Sequence, residues 1–310
     1  MKALISGSNG LIGSAFLEKY SHRFDEIVTI GREKNTSLNH IHYDLSDPQN
    51  IKAPECDVFF HFASQTSLQN SRDDVLNDLK TNVVGFAYLL ESLKTLSTRP
   101  IVILASTATQ VGYTDNAKAH ESNLADNPIT FYDLSKLTAE KYLLRYVDET
   151  WLQGCSLRLC NVFGGSKEYG AKDRGIIDKV FMKAVDGKKI TLYGEGNFLR
   201  DYIYIEDVID AFWSAFQSIE NTNNKIYHIG SGKGILLKDA FSLAQKIATE
   251  VNSNQQPISI IPIPPDASLM ESRSFISHNE SFIRDSNWAP QFSLEEGLRH
   301  CYRKLLSRST

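Results

Sequence analysis

The sequence predicts an α/β fold, a doubly wound parallel sheet with a smaller α/β unit on its C-terminal side. Up to about Leu159, short β-branched or apolar runs alternate with longer amphipathic segments, the pattern of strands joined by crossover helices. Several of the short runs are apolar at consecutive positions, as strands covered on both faces are. A glycine cluster stands between the first short run and the first amphipathic one.

Strands are expected at Ala3 to Ser6, Glu26 to Ile30, Ile41 to Tyr43, Asp57 to Phe62, Ile101 to Ala105 and Cys155 to Leu159. Helices with 3.6-residue periodicity are expected at Leu11 to Arg23, Val75 to Leu96 and Phe131 to Tyr146. Beyond Asn161 the texture becomes rich in glycine and charge, Gly164 to Gly175, which opens a second unit. There a helix is expected near Ile176 to Asp186 and a strand at Lys189 to Tyr193. Tyr202 to Phe216 reads as a strand running into a helix, and Lys225 to Ile229 as a strand returning to the first sheet. Pro257 to Pro265 marks a loop and edge strand, and Ser293 to Leu306 a closing helix. The expected division is 1–163 with about 201–230 as one unit, and about 164–200 with 231–310 as the other.

The composition, 42% hydrophobic and 23% charged, is that of a globular protein. With 33 Lys and Arg against 37 Asp and Glu, the charge of −4 gives no electrostatic case for nucleic acid or an anionic membrane as partner. Cys56, Cys155, Cys160 and Cys301 form no CxxC pair and read as reduced thiols. No apolar run approaches the ~18 residues of a membrane span, so a cytoplasmic location is expected.

Ala3-Leu4-Ile5-Ser6 runs into Gly7-Ser8-Asn9-Gly10-Leu11-Ile12-Gly13. Gly7 permits a tight turn, Gly10 lets the backbone approach a pyrophosphate, and Gly13 lets helix and strand pack closely, while the helix N-terminus supplies N–H donors. This is a dinucleotide turn, and its G-x-x-G-x-x-G spacing resembles that of the extended short-chain dehydrogenase/reductases, the epimerase/dehydratase family. Where an NAD enzyme presents an acid ~20 residues beyond the glycines, this chain has Ile30-Gly31-Arg32. Gly31 leaves room for a ribose 2′-phosphate and Arg32 supplies a planar cation, which favours NADP(H) over NAD(H). The alternative is that Arg32 is a solvated loop residue and Glu33 takes the acid's place.

Tyr132-Asp133-Leu134-Ser135-Lys136 places a phenol and an ammonium on one helix face. A phenol with a pKa near ~10 is a poor base at neutral pH, and Lys136 is the cation expected to lower it. The strand from Ile101 ends in Ser106-Thr107-Ala108-Thr109, at the sheet edge where ligands of such folds bind. His40 and His42 lack a third ligand in register, and His61 lies within an apolar strand, so no metal site is expected.

Thr107, Tyr132 and Lys136 match the family's catalytic triad, and the resemblance spans essentially the whole chain. It implies a Rossmann-type dinucleotide unit, proton exchange between Tyr132 and a sugar oxygen, and Lys136 holding the nicotinamide ribose. Cofactor contacts are implied at Gly7, Asn9, Gly10, Leu11, Ile12, Gly13, Arg32, Asp44, Leu45, Phe62, Ala63, Ser64 and Lys136. Asn82 resembles an architectural helix residue. A nucleotide-diphosphate sugar is the implied substrate, contacted by Thr107, Thr109, Tyr132, Asn161, Arg200 and Arg273, the two arginines suited to phosphate, with Arg174 and Tyr193 lining the nucleotide pocket. The alternative for Arg200 and Arg273 is a domain-bridging salt bridge. The family's dehydratases carry Asp-Glu after the triad Thr, and its decarboxylases usually Glu, where this chain has Ala108-Thr109. NADPH-dependent reduction of a 4-keto sugar nucleotide therefore leads, with NAD(P)-dependent 4-epimerisation as the alternative and a non-catalytic nucleotide-binding member as a third. Gln110-Val111-Gly112-Tyr113 departs from the family's Val-Tyr-Gly. The resemblance also implies a homodimer through the two long helices.

Overall fold

The computed structural model describes residues 1–33, 38–49, 51–112, 126–164, 175–250, 257–263 and 273–306, the side chains of 304–306 excepted. In chain order the first half contains β1 (Lys2–Ser6), α1 (Leu11–Tyr20), β2 (Glu26–Gly31), β3 (Asn39–His42), β4 (Val58–His61), α2 (Leu68–Asp73), α3 (Val75–Leu79), α4 (Gly85–Lys94), β5 (Ile101–Thr107) and α5 (Phe131–Asp148). The second half contains β6 (Gln153–Leu159), β7 (Asn161–Phe163), α6 (Ile176–Val185), β8 (Thr191–Tyr193), β9 (Leu199–Tyr204), α7 (Ile205–Gln217), α8 (Ile219–Thr222), β10 (Ile226–Ile229), β11 (Gly234–Leu236), α9 (Leu237–Thr249), β12 (Ser259–Ile261), α10 (Glu280–Ser286) and α11 (Leu294–Leu306).

Seven strands form one parallel sheet in the order β10-β6-β5-β4-β1-β2-β3. From β1 the chain builds outward through β2 and β3, then returns to the other side of β1 with β4 and builds through β5, β6 and β10. The turns after β1 and β4 therefore face one crevice at the point where strand order reverses, the place where open α/β sheets hold their ligands. Alternation of side chains divides the strands between two cores. Ala3, Ile5, Val58, Phe60, Ile103 and Ala105 pack with α1 and α7 on one face. Leu4, Phe59, Val102 and Leu104 pack with α4 and α5 on the other. A three-stranded sheet, β11-β9-β7, and a two-stranded one, β12-β8, complete the architecture. Among the described residues no helix is long and apolar enough to cross a membrane.

The elements differ from expectation where tertiary contacts override periodicity. The helix expected over Val75 to Leu96 is broken into α3 and α4 by a π-type turn, Lys80–Val84. The turn has packing causes: a Cβ on Gly85 would overlap the Leu45 carbonyl, and Asn82 is turned inward to bond the loop after β4. The helix expected to reach Arg23 ends at Tyr20 and finishes in a 3-10 turn, Ser21–Arg23. The third strand lies at Asn39–His42, displaced toward the N-terminus from the expected Ile41 to Tyr43. The fifth runs on to Thr107, which is therefore the last residue of a strand.

Behind β6, Arg158 is 4% exposed and Glu140 fully buried. Arg158 Nη2 lies 2.5 Å from Glu140 Oε1 and 2.7 Å from Asp126 Oδ1, and Ser156 donates to Glu140 Oε2 at 2.7 Å. Removing one partner of a buried pair leaves the other charge uncompensated. Glu140→Ala is expected to lower stability by about 3–5 kcal/mol, read as the shift in a urea unfolding midpoint at unchanged slope.

Candidate active site

The crevice is shaped by glycine. Gly7 has φ +68°, and a Cβ there would stand 2.6 Å from the Ala63 N, so the turns after β1 and β4 touch only because no side chain intervenes. A Cβ on Gly13 would overlap the Gly7 carbonyl. The Gly10 N–H closes the turn on the Gly7 carbonyl at 2.9 Å. Gly10 is the N-cap of α1; no side chain caps it and no acid stands in the first turn. A glycine-lined helix N-terminus without a competing carboxylate fits a pyrophosphate. Leu11 and Ile12 open that helix and are half-buried. Asn9 Nδ2 donates to the Glu33 carbonyl at 3.4 Å, tying the glycine turn to the end of β2.

At that end, nothing lies within 4 Å of a Cβ built on Gly31. Arg32 is exposed. Burial pushes the Asp44 carboxyl up, but the Ser46 hydroxyl and N–H, with the charges of Arg32 and His42, outweigh it and hold it below its ordinary value. Leu45 presents its backbone to Gly85. Phe62 packs on the core 5.5 Å from the Phe16 ring, the Ala63 N–H donates to Ser6 Oγ at 3.2 Å, and Ser64 donates to Asn82 Oδ1 at 2.8 Å. His61 is a core residue, bonded to Ser6 Oγ at 2.8 Å and stacked 4.4 Å from Phe86.

Thr107, Thr109, Tyr132 and Asp133 come together beside this crevice. Thr107 Oγ1 and Thr109 Oγ1 are 2.8 Å apart. Tyr132 lies beside Thr107, and the Thr109 hydroxyl donates to Asp133 Oδ1. Asp133 closes a capping box at the start of α5, its Oδ2 accepting the Thr130 N–H at 3.2 Å while Thr130 Oγ1 accepts the Asp133 N–H at 3.0 Å. Burial lifts the Tyr132 phenol well above its ordinary range, reinforced by Asp133 and Asp78 and opposed by the Thr107 hydroxyl. Lys136, expected to lower it, instead donates to the Ala105 carbonyl at 2.7 Å. Burial pushes this ammonium down to about 8 against the charges of Glu140 and Asp78. The expectation is corrected here: desolvation of the half-buried phenol dominates.

The substrate-side residues are partly gathered. Asn161, exposed on β7, donates from Nδ2 to the Asp201 carbonyl at 2.8 Å. Arg200 Nη1 donates to the Leu199 carbonyl at 3.2 Å and to the Arg273 carbonyl. Arg273, expected to grip phosphate, is only 7% exposed. Its Nη1 reaches the Gly112 carbonyl at 3.1 Å and those of Ala108 and Thr109 at 3.5 Å, and the guanidinium lies 4.7 Å over the Phe275 ring. Its place is that of a bridge between the C-terminal segment and the turn after β5. Tyr193 stands apart, exposed at the end of β8. Arg174 and Tyr113 lie outside the described residues.

Asp133 and Asp201 escaped the sequence reading. The first carries a legible signal, Thr-x-x-Asp ahead of a helix; the second carries none, since its role depends on a distant loop. Asp201 is fully buried and accepts from Ser231 N and Oγ at 2.7 and 2.6 Å, Gly232 N at 3.1 Å, and Ser277 N and Oγ at 3.0 and 2.5 Å. Asn82, read as architectural, is 3% exposed and bonds Ser64, Gln65, Asp78 and Ser135 together. Ser135 in turn donates to the Tyr132 carbonyl at 3.0 Å. Asn82→Ala strands several buried polar groups at once, and a loss of roughly 2–4 kcal/mol is expected in chemical denaturation.

The chain is 26% identical over 306 residues to a putative UDP-glucose 4-epimerase of Methanocaldococcus jannaschii, covering 96% of this chain and 95% of that one. The UDP-glucose 4-epimerase of Thermotoga maritima, solved with UDP-glucose, superposes with a TM-score of 0.85 at 24% identity over 99% of this chain and 100% of that one. MoeE5, solved with UDP-glucose and NAD, superposes with a TM-score of 0.82 at 21% identity over 99% and 100%. Residues 3–230 match the model of the NAD dependent epimerase/dehydratase family, and the chain belongs to that family of enzymes.

Proposed function

We propose that the protein is a nucleotide-sugar 4-epimerase that oxidises the 4-hydroxyl of a UDP-hexose transiently and reduces the ketone from the opposite face. The observation that carries this reading is the meeting of Tyr132, at the start of α5, with the strand end that carries Thr107, the two elements joined by the Thr109–Asp133 hydrogen bond, with Ala108 and Thr109 where elimination or decarboxylation would need acids. Asp133 does not fill that need: it is fully buried, and its two oxygens accept from Thr109 and Thr130. Likeness to UDP-glucose 4-epimerases supports the alternative from the sequence, epimerisation, over the leading one, reduction.

A nicotinamide cofactor bound in the crevice would supply the hydride acceptance and return that the reaction needs. Tyr132 and Thr107 orient the sugar oxygen and exchange its proton. Lys136 would hold the nicotinamide ribose, and the turn of Gly7, Gly10 and Gly13 would hold the pyrophosphate. Asn161, at the end of the 1–163 segment, and Arg200, at the end of the 164–200 segment, face the nucleotide diphosphate. We assign NAD(H) as the cofactor. Arg32, which suggested NADP(H), is exposed at the end of β2, which fits the alternative of a solvated loop residue.

Denaturing the freshly purified protein is expected to release close to one NAD(H) per chain. UDP-glucose and UDP-galactose should interconvert without added reductant, and Tyr132→Phe should abolish turnover while retaining the cofactor. Empty protein that binds NADPH and reduces a 4-keto sugar nucleotide would overturn the epimerase in favour of the reductase.

We also propose a homodimer through α3, α4 and α5. These helices carry Leu76, 68% exposed, with Leu79, Tyr88, Phe131, Leu134 and Tyr142 also exposed, an apolar surface of the kind that marks association. Light scattering should give twice the chain mass, and Leu76→Glu with Leu134→Glu should halve it; a wild-type monomer at micromolar concentration would refute the dimer.

A further inference from the structure

Tyr132 is the second residue of α5, so the position of its phenol depends on how the first turn of that helix is held. The capping box holds the turn to its own backbone, through Thr130 Oγ1 and Asp133 Oδ2. It does not hold the helix to the strand. Asp133 Oδ1 makes that further contact, accepting from the hydroxyl of Thr109 in the 3-10 turn Ala108–Val111 that follows β5. One helical turn along, Lys136 donates to the Ala105 carbonyl at 2.7 Å. The start of α5 is thus fastened to the end of β5 at two points, and the one made by Asp133 adjoins Tyr132.

Thr109 is held at each of its polar atoms. Its hydroxyl serves Asp133 and stands 2.8 Å from Thr107 Oγ1, and its N–H donates to Thr107 Oγ1 at 3.3 Å. Its carbonyl lies 3.5 Å from Arg273 Nη1, whose closer acceptor is the Gly112 carbonyl at 3.1 Å. A hydroxyl has one hydrogen to give, and that of Thr109 goes to Asp133, which leaves none for a sugar. Asp133 itself is fully buried. Burial raises its carboxyl, against the hydrogen bonds of Thr109 and Thr130 and the charge of Arg273. An N-terminal cap works at the protein surface, so the desolvation of this carboxylate serves the contact with Thr109 and not the cap.

We propose that Asp133 is a positioning residue: through Thr109 it clamps the turn after β5 to the first turn of α5 and so holds the Tyr132 phenol beside Thr107. This rests on the reading that those two side chains meet the sugar oxygen. Asp133 and Thr109 touch no sugar and act through the placement of the residues that do. Buried hydrogen bonds are directional, so the clamp resists sliding and rotation of the helix end. A displacement of about 1 Å at a reacting group is enough to cost ~10²-fold in rate.

Asp133→Ala removes cap and clamp together, so the informative variant is Thr109→Val, which leaves the capping box intact, with a urea unfolding transition to establish that it is folded. In the UDP-glucose to UDP-galactose assay it should lower kcat roughly 10- to 10²-fold at unchanged KM, and Thr109→Ser should restore the rate. With tyrosine labelled with carbon-13 at ring Cζ, the Tyr132 signal of the purified protein, assigned by its loss in Tyr132→Phe, should move in Thr109→Val and return in Thr109→Ser. An unchanged kcat in Thr109→Val overturns the clamp, and with a raised KM it makes Thr109 a substrate contact instead. A kcat that Thr109→Ser fails to restore overturns the clamp as well, as does a Tyr132 signal that stays in place in Thr109→Val. A wild-type protein that interconverts no UDP sugar overturns the epimerase reading instead, and the resonance still decides the clamp.

Discussion

The close approach of two turns at Gly7 and Ala63 is the constraint on which the rest of the structure depends. A side chain at residue 7 would collide with the backbone after β4, and one at residue 13 with the Gly7 carbonyl. With all three segments drawn together, β4 sits beside β1, strand order reverses there, and the crevice opens at the carboxyl ends of the strands. The left-handed φ of Gly7 is needed to turn the chain within that space. Everything that follows β4, including the strand that ends in Thr107, is laid down from that pairing.

The second half of the site is held by buried polar groups, whose bonds are directional in a way that apolar packing is not. Asn82 joins the loop after β4 to α5 through Gln65 and Ser135, and so fixes the start of the helix that carries Tyr132. Asp201 gathers the loop at Ser231 and the segment at Ser277 onto β9, beside Asn161 and two residues from the strand's start. Arg273 closes the circuit between that segment and the turn after β5. Arg200 and Tyr132, far apart in sequence, are thereby set on one connected framework: Arg200 bonds the Arg273 carbonyl, Arg273 bonds the Thr109 carbonyl, and Thr109 bonds Thr107.

Local chemistry was legible in the sequence and environment was not. The glycine turn, the alternation of strands and helices and the Tyr-x-x-x-Lys spacing each express a rule confined to a few consecutive residues, and each corresponds to an element of the fold. The break at Lys80–Val84 was invisible because its cause is a carbonyl at Leu45, some forty residues away. The inward turn of Arg273 was hidden for the same reason, since its acceptors belong to the turn after β5. Tyr132 shows the limit most plainly: spacing alone pairs it with Lys136, whereas the fold half-buries the phenol and hands the ammonium to the Ala105 carbonyl.

A redox step that must run both ways asks more of its proton donor than one that runs once. A reductase needs only a phenol that gives a proton to a ketone and recovers it from solvent afterward. An epimerase must take a proton from a hydroxyl and return it within one binding event, and the proton must wait where bulk water does not exchange it for another charge state. A desolvated phenol is suited to giving and less suited to taking, because desolvation penalises its anion. Asp133, bonded to Thr109 and Thr130, fixes the first turn of α5 against the end of β5 and so places the phenol that performs the exchange.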